Sequence, residues 1–147
     1  MKRPFITAAD AKSSVHGVTI LLMLFAFTIG VFTVVGGESR WNAKAFETAL
    51  GVPGAPESWG YAISSLAVVA ALGYWSWGRF HFRFWNPRYV TFAGLFGVGI
   101  WSLSFGLAFF REYMNSESVS IFGTALFFLL SIIYIHTAIL FLRGQNA

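Results

Sequence analysis

The amino-acid sequence predicts an all-α integral membrane protein, a bundle of four transmembrane helices. Apolar residues make up 56% of the 147 residues and charged residues 11%, whereas soluble domains average about 45–50% apolar and about 25% charged. Four apolar runs are also long enough to cross about 30 Å of hydrocarbon, which takes roughly 20 helical residues. A chain of 147 residues corresponds to a single domain.

The four predicted spans contain no Asp, Glu, Lys or Arg. Each must be helical, because hydrocarbon offers backbone groups no other hydrogen-bond partner. The first span follows a basic start, as in a signal peptide, but it is too long for a signal-peptide core and no small-residue cleavage site follows it. We therefore expect a retained helix. The predicted spans cover approximately residues 17–35, 59–78, 89–110 and 119–142.

The basic residues in the connections predict that both termini are cytoplasmic. Short cytoplasmic loops carry an excess of Lys and Arg, and one side of this chain holds seven of the ten basic residues. These seven are Lys2, Arg3, Lys12, Arg79, Arg83, Arg88 and Arg143. The remaining three, on the outer side, are Arg40, Lys44 and Arg111. We expect a multi-pass protein of the inner (plasma) membrane.

The first outer loop predicts a short interfacial helix before the second span. Ser39 suits an N-cap, residues 40–50 suit the helix and Gly51 suits its end. Its apolar side lies either on the membrane surface or over the mouth of the bundle. The Pro-Gly-Ala-Pro segment at residues 53–56 forces a turn.

Aromatic and basic residues alternate in the inner loop. Aromatic rings favour headgroup depth, and Arg side chains extend to lipid phosphates. Asn86 before Pro87 is typical of an N-cap and a first helical position. A lipid-headgroup or nucleic-acid site here is the alternative, but no long basic run supports a nucleic-acid partner. The predicted interface anchors are Trp59, Trp75, Trp77, Arg79, Arg83, Trp85 and Arg88.

Small residues predict where the helices approach closely, because close backbone packing holds helices together in lipid. They form one stripe on the second span and two roughly opposite faces on the third. The third helix therefore needs two partners. Either both are helices of its own chain, or one face contacts a helix of a neighbouring subunit. The predicted packing residues are Gly60, Ser64, Ala67, Ala71, Ala93, Gly97, Gly99, Ser102 and Gly106.

Two histidines are candidate cofactor ligands. His16 opens the first span and His136 lies in the fourth, both in the inner half of the membrane. Such a pair suits ligation of a haem iron from both faces, and a single histidine suits a chlorophyll-type magnesium. The alternative is a histidine that bonds a neighbouring helix.

The chain has no cysteine, and no nucleophile–base pattern is visible, so we expect neither an enzyme nor a required metal or cofactor.

Residues 49–60 read ALGVPGAPESWG, a rigid turn followed by Ser-Trp-Gly at the start of the second span. This segment resembles small four-span membrane proteins of phages that infect actinobacteria, some of which are holin-like. The resemblance implies a phage-encoded inner-membrane protein such as a lysis pore or an exclusion factor.

The sequence thus predicts a non-enzymatic membrane protein that associates with itself or with partners, most specifically a holin-like pore. Two alternatives stay open. One is a structural or accessory subunit of a larger membrane complex. The other is a subunit that binds haem or a pigment through His16 and His136.

Overall fold

The protein is all-helical throughout the residues that the structure describes. The computed structural model describes residues 8–37, 41, 46–51, 53–76, 86–115 and 121–143, with side chains from residue 15 onward except at residue 48. The helices are α1 (Ala8–Gly36), α2 (Glu47–Leu50), α3 (Glu57–Ser76), α4 (Pro87–Asn115) and α5 (Ile121–Arg143).

Three of these helices are long and apolar enough to cross a membrane. They are the part of α1 from Val15 to Gly36, the whole of α4 and the whole of α5. The predicted spans 17–35 and 89–110 lie within α1 and α4, and the described parts of spans 59–78 and 119–142 lie within α3 and α5. Residues 77, 78, 119 and 120 lie outside the described residues.

Helix ends follow the local sequence. Asn86 accepts a hydrogen bond from the backbone N–H of Arg88 through Oδ1 at 3.1 Å, which confirms the predicted N-cap before Pro87. Gly37 ends α1 with a φ of +58°, and Gly54 forms the turn before α3 with a φ of +76°. Both angles lie in the left-handed region that favours glycine. The turn closes when the N–H of Ser58 donates to the carbonyl of Gly54 at 2.8 Å.

The first outer loop differs from its prediction. The described helix is the four-residue α2, which lies within the predicted range 40–50, while residues 40 and 42–45 of that range lie outside the described residues. Phe46 of this loop packs on Phe109 of α4, with ring centroids 5.0 Å apart. The loop therefore packs over one end of the helices, which we call the α2 end.

The four long helices pack antiparallel around a shared apolar core. Contacts run from α1 to α3, from α3 to α4 and from α4 to α5, whereas α1 and α5 touch only slightly. All four contribute to the core, whose buried residues are Met23, Ala26, Ile63, Ala67, Ala70, Leu95, Val98, Tyr134 and Ala138. The chain therefore forms an up-down bundle with three tight seams and one loose seam between its first and last helices.

Candidate functional site

The two small-residue faces of α4 contact two different helices of the same chain. A Cβ added at Gly97 would lie 2.6 Å from the Leu66 side chain of α3. On the other face, a Cβ at Gly99 would lie 2.7 Å from Ile135 of α5. One at Gly106 would lie 3.0 Å from Phe128. Both partners of α4 are therefore helices of its own chain.

The remaining predicted packing residues divide between core and surface. Gly60 faces α1, where an added Cβ would lie 2.6 Å from the carbonyl of Gly30. Ala67 and Ser102 are buried, and Ser64 lies against Gly30. Ala71 and Ala93, in contrast, are exposed. The seam between α1 and α3 also uses Gly30, and that between α3 and α4 uses Gly73 and Gly94.

An aromatic cluster closes the α2 end of the bundle. Trp59 is 5% exposed and packs edge-to-face on Phe105 of α4, with centroids 4.9 Å apart. Trp41, in the loop between α1 and α3, also packs edge-to-face on Trp59, with centroids 6.0 Å apart. Such edge-to-face pairs add about 0.5–1.5 kcal/mol each beyond the area that they bury. Trp59 thus contributes to the protein interior, where the sequence predicted an anchor at the lipid surface.

Two of the other predicted anchors, Trp75 and Arg88, lie at the opposite end of the bundle. Trp75 is 57% exposed and Arg88 is half-buried. Trp77, Arg79, Arg83 and Trp85 lie outside the described residues.

His16 and His136 lie at this same end in different surroundings. His16 Nδ1 is 3.1 Å from the Tyr74 hydroxyl of α3, and its ring packs on Phe141 of α5 at 6.3 Å. His136 is exposed and lines a groove between α1 and α5. Phe141 lies about 140° around α5 from His136 at 3.6 residues per turn. The two imidazoles therefore face different sides of α5.

The groove beside His136 occupies the loose seam. It encloses about 290 Å³ and is lined by Val15 and Val18 of α1 and by Ile133, His136, Thr137 and Leu140 of α5. One hydrogen bond crosses the seam nearer the middle of the helices, where the Tyr134 hydroxyl donates to the backbone carbonyl of Leu22 at 2.8 Å. The seam is thus joined at its middle by this hydrogen bond, and at the end opposite α2 it holds both the groove and the contact between the His16 and Phe141 rings.

Three of the buried polar side chains inside the bundle bond within their own helices. Thr19 and Thr33 of α1 and Thr91 of α4 donate to the carbonyl four residues earlier, at 2.8, 2.8 and 3.2 Å. The described residues include no group of three or more His, Cys, Asp or Glu that could hold a metal ion.

Fold and surface define the class of this protein, an all-helical bundle in which three of the described helices are long and apolar enough to span a membrane. No protein-family model, curated protein or solved structure matches the chain.

Sequence reasoning missed Tyr134, which joins the loose seam. It lies in a helix that is apolar nearly all round, so nothing distinguishes it from a lipid-facing aromatic residue. It also missed the α1–α5 groove, because the sequence places His136 at a depth but does not say which neighbouring helix it faces.

Proposed function

We propose that the chain is a four-span inner-membrane protein with both termini in the cytoplasm, which acts without catalysis by associating with other membrane-protein subunits or with copies of itself. The antiparallel packing of α3 between α1 and α4 supports α3 as the fourth span. Its one charged residue, Glu57, is its first residue. The basic-residue bias supports the orientation, with the α2 end outside.

The observation that carries the proposal is the exposed apolar surface of α1. This helix packs broadly on α3 alone, and Leu21, Phe32 and Val35 are 67%, 68% and 77% exposed. Lipid solvates such side chains, but a partner helix that fits them gains close-packed dispersion contacts that fluid lipid does not supply. Because α1 is an edge helix, a partner can reach this surface without rearranging the bundle.

Packing inside the bundle favours association over conduction. The hydroxyls of Thr19, Thr33 and Thr91 inside the bundle donate to carbonyls of their own helices. Apolar side chains fill the core between the described helices, where a pore would need groups that replace the hydration of what it conducts. The aromatic cluster of Trp59 and Phe105 lies at the outer end of the core. A holin-like pore would therefore have to form between copies of the chain.

Dye retention in vesicles tests this preference. The full chain is reconstituted in vesicles loaded with a small fluorescent dye. These vesicles should retain the dye for as long as protein-free vesicles retain it. Dye release that rises steeply with the protein-to-lipid ratio would contradict the closed bundle and favour the holin-like pore.

Association is tested by shortening the exposed side chains of α1. The protein is extracted from its native membrane, and the fraction found in complexes of fixed stoichiometry is measured. We expect the double variant Leu21→Ala with Phe32→Ala to lower this fraction. The control is Leu107→Ala with Phe110→Ala, which shortens side chains of α4 that are 55% and 43% exposed. A chain that is monomeric in its native membrane, or equal losses in both pairs, would contradict the proposal.

A further inference from the structure

The loose seam between α1 and α5 combines an apolar groove with polar groups on one face of α5. His136 and Leu140 line the groove, and Arg143 follows His136 by seven residues. Positions i, i+4 and i+7 of a helix share a face, so Arg143 lies on the groove side of α5. The rise of 1.5 Å per residue places Arg143 about 10 Å nearer the helix end than His136.

We propose that this groove binds an anionic phospholipid of the cytoplasmic leaflet. One acyl chain packs against Val15 and Val18 of α1 and Ile133 of α5, while the phosphate accepts hydrogen bonds from Arg143. The inference rests on the membrane orientation in the proposed function, which places Arg143 at the cytoplasmic headgroups.

Charge complementarity decides for a lipid over a partner helix. Basic pockets between transmembrane helices on the cytoplasmic side bind anionic headgroups, and the Arg guanidinium presents paired donors that match a phosphate. Arg143 is exposed at the C-terminal end of α5. An apolar partner helix would cover the groove without supplying a negative charge for this residue.

His136 is a polar side chain inside the groove for which a bound phospholipid supplies a hydrogen-bond partner. A polar side chain that faces hydrocarbon is costly unless it finds a hydrogen-bond partner. Its imidazole lies exposed at the seam, in a groove lined otherwise by Thr137 and four aliphatic side chains. The glycerol ester oxygens of a phospholipid, which lie deeper than its phosphate, supply acceptors at a depth that a free phosphate ion does not reach.

Native mass spectrometry of the full chain in mild detergent tests the headgroup contact. The probes are phosphatidylglycerol, which is anionic, and phosphatidylcholine, which has no net charge. We expect the chain to retain phosphatidylglycerol preferentially, and Arg143→Gln to lower its affinity about fivefold. The matched control is Arg111→Gln, which removes an exposed arginine of α4 near the other end of the bundle. Equal retention by both variants would overturn the proposal.

A second pair of variants tests the acyl-chain contact. Val18 and Val31 are similarly exposed on α1, at 44% and 39%, but only Val18 lines the groove. We expect Val18→Phe to fill the groove and lower retention of both lipids severalfold, and Val31→Phe to change neither. Equal effects of the two variants would overturn the proposal.

Two further outcomes separate the lipid from other occupants. Millimolar inorganic phosphate should not displace phosphatidylglycerol. Displacement would show that the site binds phosphate alone and would overturn the acyl-chain contact. Loss of a co-purifying membrane protein in Val18→Phe, with lipid retention unchanged, would show a partner helix in the groove instead. Lost lipid selectivity in Arg143→Gln with unchanged co-purification would support the lipid site independently of the association function.

Discussion

The seam between α3 and α4 and the seam between α1 and α5 are built in opposite ways. A Cβ at Gly94 would lie 2.5 Å from the backbone nitrogen of Ala70, so these two backbones meet with no room for a side chain. Between α1 and α5, a groove of about 290 Å³ remains, and the hydrogen bond from Tyr134 to Leu22 joins the two helices.

The burial of the helices reflects the same contrast. In the most apolar 18-residue window of α4, 44% is buried, compared with 28% in α1 and in α5. Glycines therefore let α3 and α4 each pack closely on two helices, and α1 and α5 remain as edges. In lipid, where burial of apolar surface alone does not drive helices together, a ligand can enter the groove of the loose seam, or the groove of about 310 Å³ between α1 and α3, without disturbing the core.

The largest effect is expected at the α2 end, which the aromatic cluster closes. Trp59→Ala removes a tryptophan that is 5% exposed and leaves a cavity among Trp41, Phe105 and the neighbouring rings. The cost should be about 3–5 kcal/mol in the free energy of unfolding, measured in mixed detergent micelles. Trp75→Ala, at a tryptophan that is 57% exposed, should cost less than about 0.5 kcal/mol. Similar costs would mean that the aromatic cluster does not stabilise the bundle.

A smaller effect is expected at the tight seam. Gly94→Ala places a methyl group 2.5 Å from the Ala70 nitrogen and 2.7 Å from the Leu66 carbonyl. Backbone atoms cannot move aside as a flexible side chain can, so the substitution should destabilise the bundle by about 1–3 kcal/mol. At Gly17 no atom lies within 4 Å of an added Cβ. Gly17→Ala should therefore be neutral or stabilising by up to about 1 kcal/mol, because alanine favours helix.

The smallest effect is expected at the loose seam. Tyr134→Phe removes only the hydroxyl that donates to the carbonyl of Leu22. Hydrogen bonds between membrane helices average about 0.6 kcal/mol, with a maximum near 1.7 kcal/mol, and the loss should fall in that range. The control is Tyr61→Phe, at a tyrosine that is 62% exposed. A loss above about 3 kcal/mol would show that the α1–α5 seam is as firmly held as the others.

Part of this architecture could be predicted from the sequence, for physical reasons. The absence of charge over long apolar runs predicted the helices, and Asn86 before Pro87 predicted the start of α4. The two small-residue faces on α4 predicted two neighbouring helices, and α3 and α5 lie against those faces. These features depend on residue type and spacing along one helix.

Other features depend on how helices are rotated against each other, which residue spacing does not specify. The sequence places His16 and His136 at similar depth, but His16 contacts Tyr74 while His136 lines the α1–α5 groove. Trp59 suits an interface anchor by position, yet it lies buried because the outer loop packs across it. Residues 40 and 42–45 of the helix predicted in that loop lie outside the described residues.

Single-cysteine labelling of intact cells tests the four-span orientation most directly. The natural chain has no cysteine, and Pro53, Asn86 and Asn115 are exposed residues just outside or at the ends of α3 and α4. A membrane-impermeant maleimide should label Pro53→Cys and Asn115→Cys in intact cells, and should label Asn86→Cys only after the membrane is permeabilised. Labelling of Asn86→Cys in intact cells would contradict the orientation of the bundle. Equal protection of Pro53→Cys and Asn86→Cys would contradict the proposed crossing of α3.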